Sequence, residues 1–125
     1  MKHQTNEERE DMLIYAIVIF AIGAVGGLFL ASQVLTDKLA PWPISIVHAL
    51  LGATGIILLI AMTVMNQGTG RLSAALTLFV IAALGGFFLA SIHVRGKIAP
   101  KAIVLLHATI AVLGFLTLLS IALGL

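Results

Sequence analysis

AVGGLFLAS (24–32) returns 59 residues later as ALGGFFLAS (83–91), and the alignment continues without a gap through the next turn and apolar stretch. Between Ala24 and Leu59, 15 of the 36 positions are identical to their partners. The matches include Gly26/Gly85, Gly27/Gly86, Ser32/Ser91, Lys38/Lys97, Pro41/Pro100, His48/His107 and Gly55/Gly114. Identity this dense, held in one register, marks the duplication of a helix–turn–helix unit.

Each half of that unit is long enough to cross a membrane. Four stretches contain no Asp, Glu, Lys or Arg: Met12–Thr36, Leu39–Met65, Leu72–Val94 and Ala102–Leu125. A helix needs about 20 residues to cross the hydrocarbon core. Of the 125 residues, 61% are hydrophobic and 10% charged, where a soluble domain carries about 25% charged residues. Backbone polar groups in lipid must be satisfied within the segment. The expected fold is therefore an all-α integral membrane four-helix bundle made of two parallel repeats, about 12–65 and 72–125, after a polar tail over 1–11. The leader KHQTNEERED (2–11) is more acidic than basic, unlike a signal peptide. The first span is also the counterpart of the third, so it is expected to be retained.

A repeat of two spans brings the chain back to the side it started from. The copies are then related by a pseudo-two-fold axis along the membrane normal, which places His48 and His107 at equal depth. Pro41, Pro43 and Pro100 sit at or just before the first turn of a helix, where proline is tolerated. Trp42 is placed as an interfacial anchor, and NQGTG (66–70) reads as a polar turn. Lys38, Arg95, Lys97 and Lys101 lie on the side of the first and third loops, against Lys2, Arg9 and Arg71 on the other. This balance leans toward termini outside the cytoplasm. A net charge of +2 gives no reason to expect nucleic acid. The absence of cysteine excludes disulfides, iron–sulfur ligation and covalent haem attachment.

Small residues mark two kinds of face. Gly23, Gly27 and Ala31 on span 1, and Ala82, Gly86 and Ala90 on span 3, form small-xxx-small ridges for close helix packing, within the bundle or across a homodimer. On span 2, His48 is followed by Gly52 and Gly55 at i+4 and i+7; on span 4, His107 is followed by Ala111 and Gly114. Both sets lie on one helical face. A packing groove would explain the glycines but not the imidazoles, whereas room beside a flat rigid ligand explains both.

Ionisable side chains inside a membrane raise a functional hypothesis by default. His3 belongs to the polar tail and reads as solvated. His93 ends span 3 where the first repeat has Val34, and could be either a snorkelling residue or a ligand. Three histidines could hold zinc, but zinc ligands are usually oriented by carboxylates, and the spans contain none. Haem iron takes neutral imidazoles, needs a flat cavity, and carries propionates that favour cations. Lys38, Arg95, Lys97 and Lys101 supply those cations at the membrane edge nearest the histidines.

The recurring His-small-Gly face on a four-span bundle resembles the membrane b-type cytochromes, whose haem is held non-covalently by histidine pairs. The resemblance implies haem b, electron transport in a bacterial inner membrane, and a quinol or small reduced oxygen species as donor. The metal ligands expected are His48 and His107, or His93 with His107, leaving His48 for a second haem shared across a dimer. Gly52, Gly55 and Gly114 would give clearance to the ring. His93 and His107 are fourteen apart, as in helices that ligate stacked haems, but Gly96 and Pro100 break the chain between them. The alternatives are a packing or assembly subunit with structural histidines, a zinc or copper site, and a proton-coupled transporter. The last is disfavoured by the lack of an intramembrane carboxylate.

Overall fold

The computed structural model describes residues 2–65 and 68–125, with the side chains of residues 2–5 outside the description. Asn66 and Gln67 of the expected NQGTG turn, and the side chain of His3, therefore lie outside the described residues. Four helices follow one another: α1 Lys2–Leu35, α2 Trp42–Val64, α3 Gly70–Val94 and α4 Lys101–Ala122. All four are long and apolar enough to cross a membrane. The fold is all-helical and packs as a four-helix bundle. Each helix lies against its two neighbours around the square, most extensively within the α1–α2 and α3–α4 hairpins. The hairpins are the two copies of the repeat.

The polar N-terminal stretch is helical and continuous with the first span, α1 running unbroken from Lys2. Its 34 residues measure about 51 Å at 1.5 Å per residue, longer than a bilayer core. The charged first ten residues therefore prolong the helix beyond the apolar span.

Several hydroxyls in the spans are paired within their own helix. Thr54, Thr63, Thr77, Thr109 and Thr117 return their hydroxyls to the carbonyl four residues back, and Ser91 to the carbonyl three back, which satisfies the hydroxyl inside the helix. Pro41 and Pro100 cap α2 and α4, and Pro43 occupies the second helical position, where a missing N–H costs no helical bond.

The two loop-side turns share one geometry. The Lys38 N–H donates to Gln33 O at 2.8 Å and the Asp37 N–H to Val34 O at 3.0 Å; Lys97 to Ile92 O and Gly96 to His93 O repeat the pattern at 3.3 and 2.9 Å. These paired bonds form a Schellman ending, whose central residue must be left-handed. Asp37 and Gly96 take that conformation at φ 60° and 69°. Asp37 uses its side chain as well, pairing with Lys101 of the other repeat at 3.2 Å.

The packed core occupies only one half of the bundle. Leu13, Ala16, Phe20, Leu59, Met62, Leu72, Ala75, Phe79 and Leu118 form one buried cluster, all toward the end that carries the chain termini. Phe20 of α1 and Phe79 of α3, equivalent positions of the repeat, stack across the bundle axis with centroids 3.8 Å apart and planes 3° from parallel. They close the cluster on its loop side. Beyond them, among the described residues, only Gly23, Ala82 and Val104 are buried within the helices.

Candidate functional site

His48 and His107 occupy the under-packed half. α2 and α4 stand diagonally opposite, and their imidazoles meet across the axis with centroids 6.3 Å apart and planes at 79°. The equal depth expected from the duplication is present as a pair of facing rings.

Each ring is seated in the same way. His48 Nδ1 lies 2.8 Å from Gly23 O on α1, and His107 Nδ1 lies 2.7 Å from Ala82 O on α3. A carbonyl oxygen only accepts, so both Nδ1 atoms carry the proton and donate it. In the neutral ring Nε2 is then a lone-pair donor to any ligand, and among the described residues neither Nε2 makes a hydrogen bond. The seats depend on glycine: a Cβ at Gly27 would come within 2.9 Å of His48 Cε1, and a Cβ at Gly86 within 3.3 Å of His107 Cε1. The repeated GG pair is thus a socket for the imidazole of the following helix. Sequence reasoning read Gly27 and Gly86 as packing ridges; their register with the duplicated histidines was the signal available for the socket.

His93 is held differently. Its ring stacks on Trp42 with centroids 4.0 Å apart and planes 3° from parallel. Nε2 donates to Ala40 O at 2.9 Å, which leaves Nδ1 to accept from Ser45 Oγ at 3.3 Å. His93 therefore has the opposite tautomer from the other two and neither ring nitrogen free. It joins the end of α3 to the start of α2. Among the described residues no group of three His, Cys, Asp or Glu side chains is placed to hold a metal, so the three-histidine zinc arrangement is not formed. Trp42 and Ser45 are replaced by Lys101 and Val104 in the second repeat, so this clasp breaks the pseudo-symmetry.

The glycines divide into two roles. Gly55 and Gly114 do not open space beside the histidines but make room for the phenylalanine pair. A Cβ at Gly55 would come within 2.5 Å of the Phe20 ring, and one at Gly114 within 3.4 Å of Phe79. Both positions lie seven residues, or about 10 Å of rise, beyond the histidines. Gly52 lies between, on the inward stripe of His48, Gly55, Leu59 and Met62, and a Cβ added there would meet nothing within 4 Å. That layer is open. A groove of about 360 Å³ between α1 and α2 reaches the same level, with Ile22, Val25, Gly26, Val47 and Leu51 in its walls beside His48.

The basic residues gather at the loop end as expected, all exposed. Lys101 is engaged by Asp37, and Arg95 Nε donates back to Ser91 O at 3.1 Å. Counting Lys38, Arg95, Lys97 and Lys101 against Asp37 leaves this end at +3.

Two imidazoles held on opposite sides of one metal at about 2.0 Å per nitrogen have centroids about 6 Å apart, and the observed 6.3 Å is close to that. The Nδ1–H to carbonyl bond is also the arrangement by which metal-bound histidines are oriented and made more basic. The pair, the open layer at Gly52 and the basic rim are each compatible with haem; Gly55 and Gly114, expected to flank its ring, are committed to phenylalanine. No protein-family model, curated protein or solved structure matches the chain.

Proposed function

We propose that the chain is a membrane b-type haem protein, acting as a one-electron carrier or small oxidoreductase, in which His48 and His107 would hold the haem iron. The observation that supports it best is the pair itself. Two imidazoles stand 6.3 Å apart inside the bundle, each with Nδ1–H tied to a helix carbonyl and Nε2 left to bind. When bound, haem supplies a reversible one-electron couple in an apolar setting.

The chain's own residues do the rest. Gly23 and Ala82 lend carbonyls that fix ring orientation and tautomer. Gly27 and Gly86 admit the rings against α1 and α3. Gly52 leaves room beside them. Phe20 and Phe79 close the layer on its far side, and Lys38, Arg95, Lys97 and Lys101 supply cations for propionates at the loop end. Because the two rings approach within one chain, this pairing does not need a second protomer; His93, with both nitrogens engaged, serves the fold. A bacterial inner membrane, with the termini outside the cytoplasm, is the location that fits the charge distribution and the resemblance.

The test is an absorption spectrum of the purified protein expressed with haem available. A sharp Soret band that shifts on reduction is expected. His48→Ala and His107→Ala should each abolish the normal band, and His93→Ala should keep it. A normal band in both ligand variants would refute the assignment. A second reading has an observation of its own: each imidazole already donates a hydrogen bond to a neighbouring helix. Under it the pair is a helix clasp in an assembly subunit, and the protein is colourless.

A further inference from the structure

We infer that the partner of the His48–His107 centre exchanges an electron without a proton. This inference rests on the haem reading and narrows it: the partner is an outer-sphere metal carrier, whose ligands keep their protons through the electron change, and not a quinol.

The reason lies in what surrounds the pair. A quinol that gives up two electrons also breaks two O–H bonds, and each proton needs an acceptor at the site. Among the described residues around the histidine layer no such acceptor is in place. α1 contributes Gly23, Gly26 and Gly27, and its one ionisable side chain between Met12 and Leu35 is Tyr15, in the far half. α2, α3 and α4 contribute only His48, His93 and His107 over their spans, with no Asp, Glu, Lys or Arg from Leu39 to Met65, Leu72 to Val94 or Ala102 to Leu125. In His48 and His107, Nδ1 already carries a proton donated to a carbonyl, and Nε2 is the ligating atom. In His93 both nitrogens are engaged, by Ala40 O and Ser45. The charged groups at the loop end, Asp37, Lys38, Arg95, Lys97 and Lys101, are exposed at its surface, and the one carboxylate among them is paired with Lys101. On the far side the phenylalanine stack and the buried core below it offer no polar path.

The balance is correspondingly simple. The reduced carrier loses one electron and the centre gains it. No N–H or O–H bond forms or breaks on the protein. Exchange belongs at the loop end, because His48 is six residues, or about 9 Å of rise, from the start of α2 and 16 residues, or about 24 Å, from its end.

The experiment is a redox titration of the haem-loaded protein between pH 6 and 8, followed by the Soret band. Coupling one proton to the electron would change the equilibrium constant tenfold per pH unit, about 59 mV for a single electron. The expected shift is less than threefold per unit. Hexaammineruthenium(II), which transfers an electron alone, should reduce the centre at least tenfold faster than a short-chain quinol at equal driving force. A colourless protein would overturn the haem reading itself. A haem band with a tenfold change per pH unit in the unsubstituted protein, or preferential reduction by the quinol, would overturn this inference alone.

Discussion

The bundle has two halves that meet at the Phe20–Phe79 stack, and they are built on opposite principles. The terminal half is dry and filled: Leu59, Leu118, Ala16 and Ala75 are fully buried, with Met62 and Leu72 at 2% exposure. The loop half has the same four helices but buries only Gly23, Ala82 and Val104 within them, and holds its two half-buried imidazoles against bare glycine backbone. Lipid is as apolar as leucine, so helices in a membrane associate through packing and interhelical hydrogen bonds rather than through loss of water. The filled half supplies that packing. It leaves the other half free to keep space and lone pairs where a tightly packed interior would remove both.

The strongest way to break this comparison is to remove a ring from the loop half. His107→Ala is expected to lose essentially all haem absorbance, more than tenfold, while unfolding in detergent moves little. The lost interhelical hydrogen bond is worth only about 0.6 kcal/mol in a membrane interior. Phe79→Ala should do the reverse. It removes a ring from the dry core, for which about 3 kcal/mol is a reasonable loss by analogy with soluble cores, and haem occupancy should fall far less than in the histidine variants. If the two variants behave alike, the halves are not independent.

Subtler changes sharpen the same contrast. Gly55→Ala, whose Cβ would sit 2.5 Å from Phe20, should cost about 1–3 kcal/mol of stability through overpacking, seen as a lower thermal midpoint. Gly27→Ala should instead displace the His48 ring and reduce haem occupancy several-fold. Its counterpart Gly86→Ala should do so less, because the contact there is 3.3 Å rather than 2.9 Å. The smallest effect belongs to the clasp. His93→Ala should leave the Soret band in place and alter the emission of Trp42, the only tryptophan in the chain, with a stability cost of about 1 kcal/mol for its lost hydrogen bonds. A bleached band in that variant would restore His93 as a ligand.

Much of this architecture is legible in the residues. Charge-free stretches longer than 20 residues dictate membrane helices because an unpaired peptide group in hydrocarbon is too costly. The duplication dictates that His48 and His107 share a depth. Pro41 and Pro100 mark the helix starts, and the Lys38/Lys97 match falls in two turns of the same hydrogen-bonded form. The misreadings have one cause. Gly55 and Gly114 share a helical face with the histidines, and a face predicted from periodicity says where a gap points but not which side chain from another helix fills it. Phe20 and Phe79 come from the neighbouring helix of each hairpin, 35 residues away along the chain from the glycines they cover, Gly55 and Gly114. His93 was ambiguous for the same reason: its partners Ala40, Trp42 and Ser45 lie in the other repeat.

By itself, then, the sequence determined the number of spans, their pairing into two like hairpins and the matched depth of two imidazoles, since each follows from local composition and an internal register. Only the tertiary structure decided which nitrogen of His48, His93 and His107 holds the proton. That choice is made by a carbonyl on a neighbouring helix, Gly23 for His48, Ala82 for His107 and Ala40 for His93, and no local pattern can specify an acceptor that folding alone brings within reach.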